Sequence, residues 1–258
     1  MSLRFTDTHC HFDFPPFSGH EAESLRRAAA AGVERIIVPS VTADRFAGVA
    51  GLAEKYPPLY AALGLHPLYI AQHHDAQLEQ LADWLAARPP KLAAVGEIGL
   101  DLYMDEPQFA RQQTLLRAQL QLAKRHDLPV ILHSRRSHDP LAAILRRTDL
   151  PRRGVVHGFA GSLSQAQAFV RLGYFIGVGG TISYQRAQKT RAVMAQLPLS
   201  ALLLETDAPD MPLAGHQGEP NRPERAAEVF QVLCQLRSEP PEQIAAQLQQ
   251  NTQSLFAL

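Results

Sequence analysis

Six residues of two chemical kinds stand out by where they fall: His9, His11, His133 and His157, with the carboxylates Glu97 and Asp207. Each closes a short apolar run. The runs finish as Asp7-Thr-His9-Cys-His11, Val95-Gly-Glu97-Ile-Gly-Leu-Asp101, Leu132-His133-Ser-Arg135, Val156-His157-Gly158 and Glu205-Thr-Asp207-Ala-Pro209. In extended chain, alternate side chains share a face, so His9 and His11 point together while Cys10 points away. Imidazole suits zinc and other transition ions, whereas carboxylate suits harder ions such as magnesium and manganese. Four imidazoles with two carboxylates hold two divalent cations if one carboxylate bridges them. Two ions about 3.5–4 Å apart lower the pKa of a water and clamp the oxygens of an in-line displacement. That is hydrolytic chemistry, and phosphodiester cleavage is a natural use of it. One strand-end histidine alone is commonly just a capped or solvated residue; the repetition is what points to metal.

The same run ends carry further candidates. His66, in Gly64-Leu-His66-Pro67, either meets substrate or the attacking water, or merely caps its run. Arg135 follows His133 by two and is expected to face the same mouth, where its guanidinium pairs with a phosphate; a surface salt bridge is the plainer reading. Glu205 precedes Asp207 by two and is placed to orient a ligating histidine or a water, or else to pair with an arginine. Asn221 and Arg222 sit in a Pro-rich loop and either touch substrate or only shape a turn. Asp207 is the candidate general base, because bridging would occupy both oxygens of Glu97, the other catalytic candidate. Asp13 and Asp101 are expected to fix loops. His73, His74, His126, His138 and His216 have no evident partners and read as surface or loop residues.

These residues need elements to hold them. Eight apolar runs occur, at 3–8, 35–39, 59–65, 92–98, 130–133, 155–157, 174–178 and 201–205. Most are near-continuously apolar, as strands buried on both faces are. Helical spacing fills the gaps: Phe109, Leu116, Leu120 and Ala123 share one face of 108–126, and Leu78, Leu81, Ala82 and Leu85 one face of 77–88. Eight strand–helix units in 258 residues predict one α/β domain over 1–258, a closed (β/α)8 TIM barrel with its site at the strand C-termini. The rival, an open doubly wound sheet, lacks its Gly-x-Gly-x-x-Gly turn after the first strand. The segment 224–258 reads as two extra C-terminal helices meeting near Pro240 and Pro241.

Composition narrows the classes. At 46% hydrophobic and 19% charged residues, the chain is too apolar for disorder and can bury a large core. Lys plus Arg and Asp plus Glu are 25 each, so a protein that coats nucleic acid by bulk charge is disfavoured, though a local basic cleft is not. Cys10 and Cys234 make neither a disulfide framework nor a Cys-x-x-Cys motif. The opening residues lack an apolar leader and no run of 18 apolar residues occurs, which predicts a cytoplasmic protein with no membrane partner and no obligate protein partner.

At these residues the chain resembles the TatD family of metal-dependent hydrolases and deoxyribonucleases, within the amidohydrolase-like barrels. The motifs are Asp7-Thr-His9-Cys-His11-Phe-Asp13, Gly64-Leu-His66-Pro67, Gly96-Glu97-Ile-Gly-Leu-Asp101, His133-Ser-Arg135, His157-Gly-Phe-Ala-Gly161 and Glu205-Thr-Asp207-Ala-Pro209. Pro209-Asp-Met-Pro212 and Gln217-Gly-Glu-Pro-Asn-Arg-Pro223 look most like the YjjV-type branch. The resemblance implies a TIM barrel with two divalent cations (zinc, magnesium or manganese). It places His9, His11 and Asp207 on the first, Glu97 across both, and His133 and His157 on the second. His133 stands where other relatives carry a carbamylated lysine, which separates this chain from phosphotriesterase-like and dihydroorotase-like proteins. The implied activity is hydrolysis of ester bonds in DNA, trimming single strands from an end in the 3'-5' direction. A small-molecule amidohydrolase or lactonase is the alternative, and a non-catalytic metal-binding protein a third.

Overall fold

Apolar runs this continuous are stable only between two covered faces, which parallel strands flanked by helices provide. The computed structural model describes residues 3–258; the first two residues of the expected 1–258 domain, which belong to the opening read for an apolar leader, lie outside the described residues. The strands are β1 (Phe5–Asp7), β2 (Val33–Pro39), β3 (Leu59–Leu63), β4 (Leu92–Asp101), β5 (Val130–Arg135), β6 (Gly154–Val156), β7 (Phe175–Val178) and β8 (Leu202–Leu204). They pair in sequence order, each parallel to the next. The ring closes where the Thr8 N–H donates to the Leu204 carbonyl at 3.0 Å and Cys10 bridges to Ala208. The helices are α1 (Glu21–Ala30), α2 (Phe46–Lys55), α3 (Asp75–Ala87), α4 (Phe109–Arg125), α5 (His138–Arg147), α6 (Leu163–Arg171), α7 (Gln188–Gln196), α8 (Ala226–Leu236) and α9 (Pro241–Phe256). The last two are the expected extra C-terminal pair, and α9 opens on Pro241, whose missing N–H costs nothing at a first helical position. Among the described residues no helix is long and apolar enough to cross a membrane.

Alternate strand residues sort into two layers. Ile36, Val38, Leu63, Val95, Leu132 and Ile176 pack outward on the helices. Ile37, Ala62, Ala94, Ile131, Val155 and Leu203 face the lumen, where Leu255 and Phe256 at the end of α9 join them and close the barrel floor.

Strand limits differ from the apolar runs for a polar reason. β1 stops at Asp7 because its carboxylate takes over the pairing with the segment after β8. It accepts from the Thr206 hydroxyl at 2.5 Å, the Thr206 N–H at 2.9 Å and the His9 N–H at 3.2 Å. β4 instead runs three residues past Ile98, paired to β5 through Gly99–His133, Leu100–Ser134 and Asp101–Arg135. Gly99 is required there: at φ +151°, any Cβ would sit 2.0 Å from the His133 carbonyl oxygen.

Candidate metal centre

The six strand-end residues converge at one end of the barrel, around Glu97. Its side chain is buried and its two oxygens face different partners. Oε2 lies 3.1 Å from His9 Nε2 and 3.4 Å from His11 Nε2. Oε1 lies 2.7 Å from His157 Nε2, 3.1 Å from His133 Nδ1 and 2.9 Å from His66 Nε2. Asp207 Oδ1 completes the first group, 3.4 Å from His9 Nε2 and 3.6 Å from His11 Nε2. The rings of His9 and His157 stack face to face at 3.7 Å, one serving each oxygen of Glu97. Although burial pushes the Glu97 carboxyl up, the surrounding imidazoles hold it well below the usual carboxylate range.

The donor set fits divalent cations. Five imidazoles crowd the buried Glu97 carboxylate, and its Oε2 has no hydrogen-bond partner of good geometry among the described residues. His9 Nε2 and His11 Nε2 are only 3.4 Å apart. Bonds of about 2.0–2.1 Å in tetrahedral array place ligand atoms about 3.3–3.4 Å apart, which is the spacing seen among His9, His11, Glu97 and Asp207. Three overlapping groups of candidate ligands result, His9–His11–Asp207, His66–Glu97–His133 and His9–His157–Glu205.

Hydrogen bonds to the outer ring nitrogens divide the histidines into two kinds. His133 Nε2 donates to Asp101 Oδ2 at 2.7 Å, which leaves the Nδ1 lone pair toward the centre, as metal-ligating histidines are commonly held. His66 is the reverse. Its Nδ1 accepts from the Leu68 N–H at 3.0 Å, so Nε2 carries the proton and donates to Glu97; His66 is a donor into the centre and not a ligand.

Glu205 is fully buried and meets no arginine. Oε1 accepts from the Gly158 N–H at 2.5 Å and lies 3.9 Å from His157 Nδ1. Gly177 makes room for it, since a Cβ there would come within 2.4 Å of Oε2. Burial lifts the Glu205 carboxyl to about 7. Asp207 sits at φ +62°, a left-handed conformation uncommon for a non-glycine residue, with its side chain 20% exposed to the cavity.

A cavity of about 930 Å³ opens over Glu97, lined also by Arg135, Arg136, Lys189 and His138. Asn221 and Arg222 are not on its wall. Asn221 is buried and donates to the Thr206 and Met211 carbonyls at 2.9 and 3.1 Å, pinning the loop after β8, while Arg222 gives its N–H to Asn221 Oδ1. Three histidines expected at the surface without partners are engaged. His73 is buried, with Nε2 donating to the His66 carbonyl at 2.8 Å; His138 packs on Phe159; and His216 lies 3.1 Å from Glu228. Asp13 fixes its loop through Arg45 at 2.8 Å. Asp101 both fixes a loop and orients His133. Sequence reasoning missed Arg136, Lys189 and two buried glutamines on α4, Gln112 and Gln119. The glutamines fall on the buried face of that helix, where periodicity alone gives a polar residue no role.

Barrel and site together define a parallel eight-stranded barrel protein with a candidate divalent-metal centre at one end. The phosphotriesterase homology protein of Escherichia coli shares the fold at a TM-score of 0.72 and 15% identity, covering 99% of each chain. More narrowly, the chain belongs to the TatD family of metal-dependent hydrolases: the family model for TatD related DNase matches residues 6–257. The metal-dependent hydrolase YjjV of Escherichia coli is 68% identical over 256 residues, 99% of each chain. The crystal structure of that TatD homolog superposes with a TM-score of 0.99 over 100% of both chains. The 3'-5' ssDNA/RNA exonuclease TatD of a Rahnella species is 31% identical over 94% of each chain.

Proposed function

We propose that this protein hydrolyses phosphodiester bonds in single-stranded DNA, removing nucleotides from the 3' end, with two divalent cations held by His9, His11, Glu97, His133, His157 and Asp207. The observation that carries the reading is Glu97, one oxygen facing each ligand group, at the base of a cavity walled by Arg135, Arg136 and Lys189. Similarity to a relative named as a 3'-5' ssDNA/RNA exonuclease supports the polarity. When bound, the cations supply Lewis acidity that acidifies a water and neutralises charge on the phosphoryl oxygens. Asp207, partly open to the cavity, accepts the proton of the attacking water. His66 donates its Nε2–H to charge that develops beside Glu97. Glu205 holds the His157 segment through Gly158, and the cationic wall receives the strand. A lactone or amide substrate is the reading that the neutral total charge favours; it would not need that wall.

The deciding experiment assays protein reconstituted with zinc, magnesium or manganese on 3'- and 5'-labelled single strands beside a lactone panel, with chelator controls. Asp207→Asn should lower strand hydrolysis by roughly 10²–10⁴ while the fold and the His133–His157 ion persist. Retention of more than about a tenth of the rate with metals saturated would show that Asp207 is not the base, since general-base catalysis spans roughly 10²–10⁴. Lactone turnover without strand cleavage would overturn the substrate class.

A further inference from the structure

Beside two arginines that line the cavity lies a group that the reading so far leaves unused. Tyr103 is an exposed aromatic ring, at 47% accessibility one of few large ones on the surface. The guanidinium carbons of Arg135 and Arg136 lie 4.0 and 4.2 Å from its centroid. Both arginines are exposed and both line the cavity, and among the described residues neither forms an ion pair. Two like charges gathered on one ring repel each other, and the ring's negative face offsets only part of that. An anion held by their forks offsets that repulsion, since guanidinium forks match phosphate oxygens in pairs.

The arrangement is built, not incidental. Asp101 Oδ1 accepts from the Tyr103 N–H at 2.8 Å, and the Leu102 N–H donates to the Arg135 carbonyl at 2.9 Å. Arg136 is held at φ +54°, a conformation that persists in a non-glycine residue only where its surroundings impose it. The other oxygen of the same Asp101 carboxylate orients His133. One side chain therefore ties the candidate metal centre to the rim. Arg135 lies two residues beyond His133, about 7 Å of extended chain, and it is exposed where the centre is buried. A strand that enters the buried centre passes this exposed pair, where a second phosphate can be held.

We propose that Tyr103, Arg135 and Arg136 form an anion subsite that grips a phosphate of the substrate strand other than the one being cleaved. The proposal rests on the phosphodiesterase reading and deepens it: the substrate is a polynucleotide chain, recognised by a neighbouring phosphate, and not a mononucleotide diester.

The test uses anisotropy of a labelled oligodeoxythymidylate on metal-loaded protein, in an Asp207→Asn background so that the probe is not consumed. Arg136→Ala should raise Kd about ten-fold or more. It should also flatten the slope of log K against log salt by about 0.7, the loss of one single-strand phosphate contact. Arg136→Lys should keep that slope, and an unchanged Tm in Arg136→Ala separates the lost charge from any damage to the fold. In the active protein, Arg136→Ala should lower kcat/KM on the oligonucleotide more than on bis(p-nitrophenyl) phosphate. If the parent binds and cleaves the strand while Arg136→Ala matches it in affinity and salt slope, the subsite falls and the phosphodiesterase reading stands. If the parent neither binds nor cleaves the strand, that reading falls and the subsite with it.

Discussion

The ring nitrogens that face away from Glu97 decide what each histidine can do. Asp101 takes the Nε2 proton of His133 and so frees Nδ1 to ligate, whereas the Leu68 N–H occupies Nδ1 of His66 and so keeps a proton on Nε2. Two imidazoles only 4.5 Å apart, both within reach of Glu97 Oε1, thereby differ in kind. His66→Gln should keep both ions by elemental analysis, because a donor has been altered and not a ligand. Strand hydrolysis should fall by roughly 10²–10³, the usual cost of one donor aimed at developing charge. Loss of an ion in that variant would make His66 a ligand and refute the tautomer argument.

At the level of elements, α4 positions the centre through two buried glutamines. Gln119 Oε1 accepts from the Leu65 N–H at 2.8 Å and its amide donates to the Leu65 carbonyl at 3.1 Å, fixing the residue before His66. Gln112 makes the same pair with Asp101, at 2.8 and 2.7 Å. Both strand tips have outrun their neighbours, and a side-chain amide supplies the missing peptide group. Gln112→Leu leaves two buried backbone groups unpaired at about 1–3 kcal/mol each. It should lower Tm by several degrees and, through Asp101 and His133, reduce metal content. Gln119→Leu should cost comparable stability but keep both ions and lose rate, because it moves His66. Equal metal content in the two variants would contradict this division. The barrel and the six convergent residues were legible in the sequence because each polar residue abruptly ends an apolar run. The glutamines were not, since periodicity assigns polar residues to the solvent face, although Gln112 and Gln119 lie among Leu116, Leu120 and Ala123 on the buried one. Nor was the Tyr103 cluster, which depends on β4 outrunning its apolar stretch to pair Asp101 with Arg135. His73 looked superficial for a related reason: its partner is a backbone carbonyl, and no side-chain pattern marks that.

Across the whole molecule the two ends of the barrel do opposite things to stability. The floor is apolar and closed by Leu255 and Phe256, while the mouth buries titratable groups whose charge the protein does not itself balance. Without a cation, burial opposes protonation of His11 and His157, but Glu97 and its neighbouring carboxylates hold them up to about 9 and about 10. Burial lifts Glu205 to about 7 and Asp7 to about 8, against three hydrogen bonds to the latter. All four bind protons more tightly folded than unfolded, so each contributes stability that is complete below its unfolded pKa and is lost as pH rises through its folded one. His66, lowered to about 4 by burial, has the opposite sign, but its change is finished near its unfolded value of 6.5. Between pH 7 and 9 the chelated protein should therefore lose stability steadily. Bound cations offset the His11 and His157 share of this, because they replace those protons, and raising pH removes the competition. The gap in Tm between metal-loaded and chelated protein should widen from pH 7 to pH 9, and calorimetry at constant ionic strength reads it directly. Binding should also release protons, seen as a heat that varies with the ionisation enthalpy of the buffer. A gap that stays constant or narrows over this range would mean that the mouth is not balanced by cations, and the metal reading of Glu97 and its five imidazoles would fail with it.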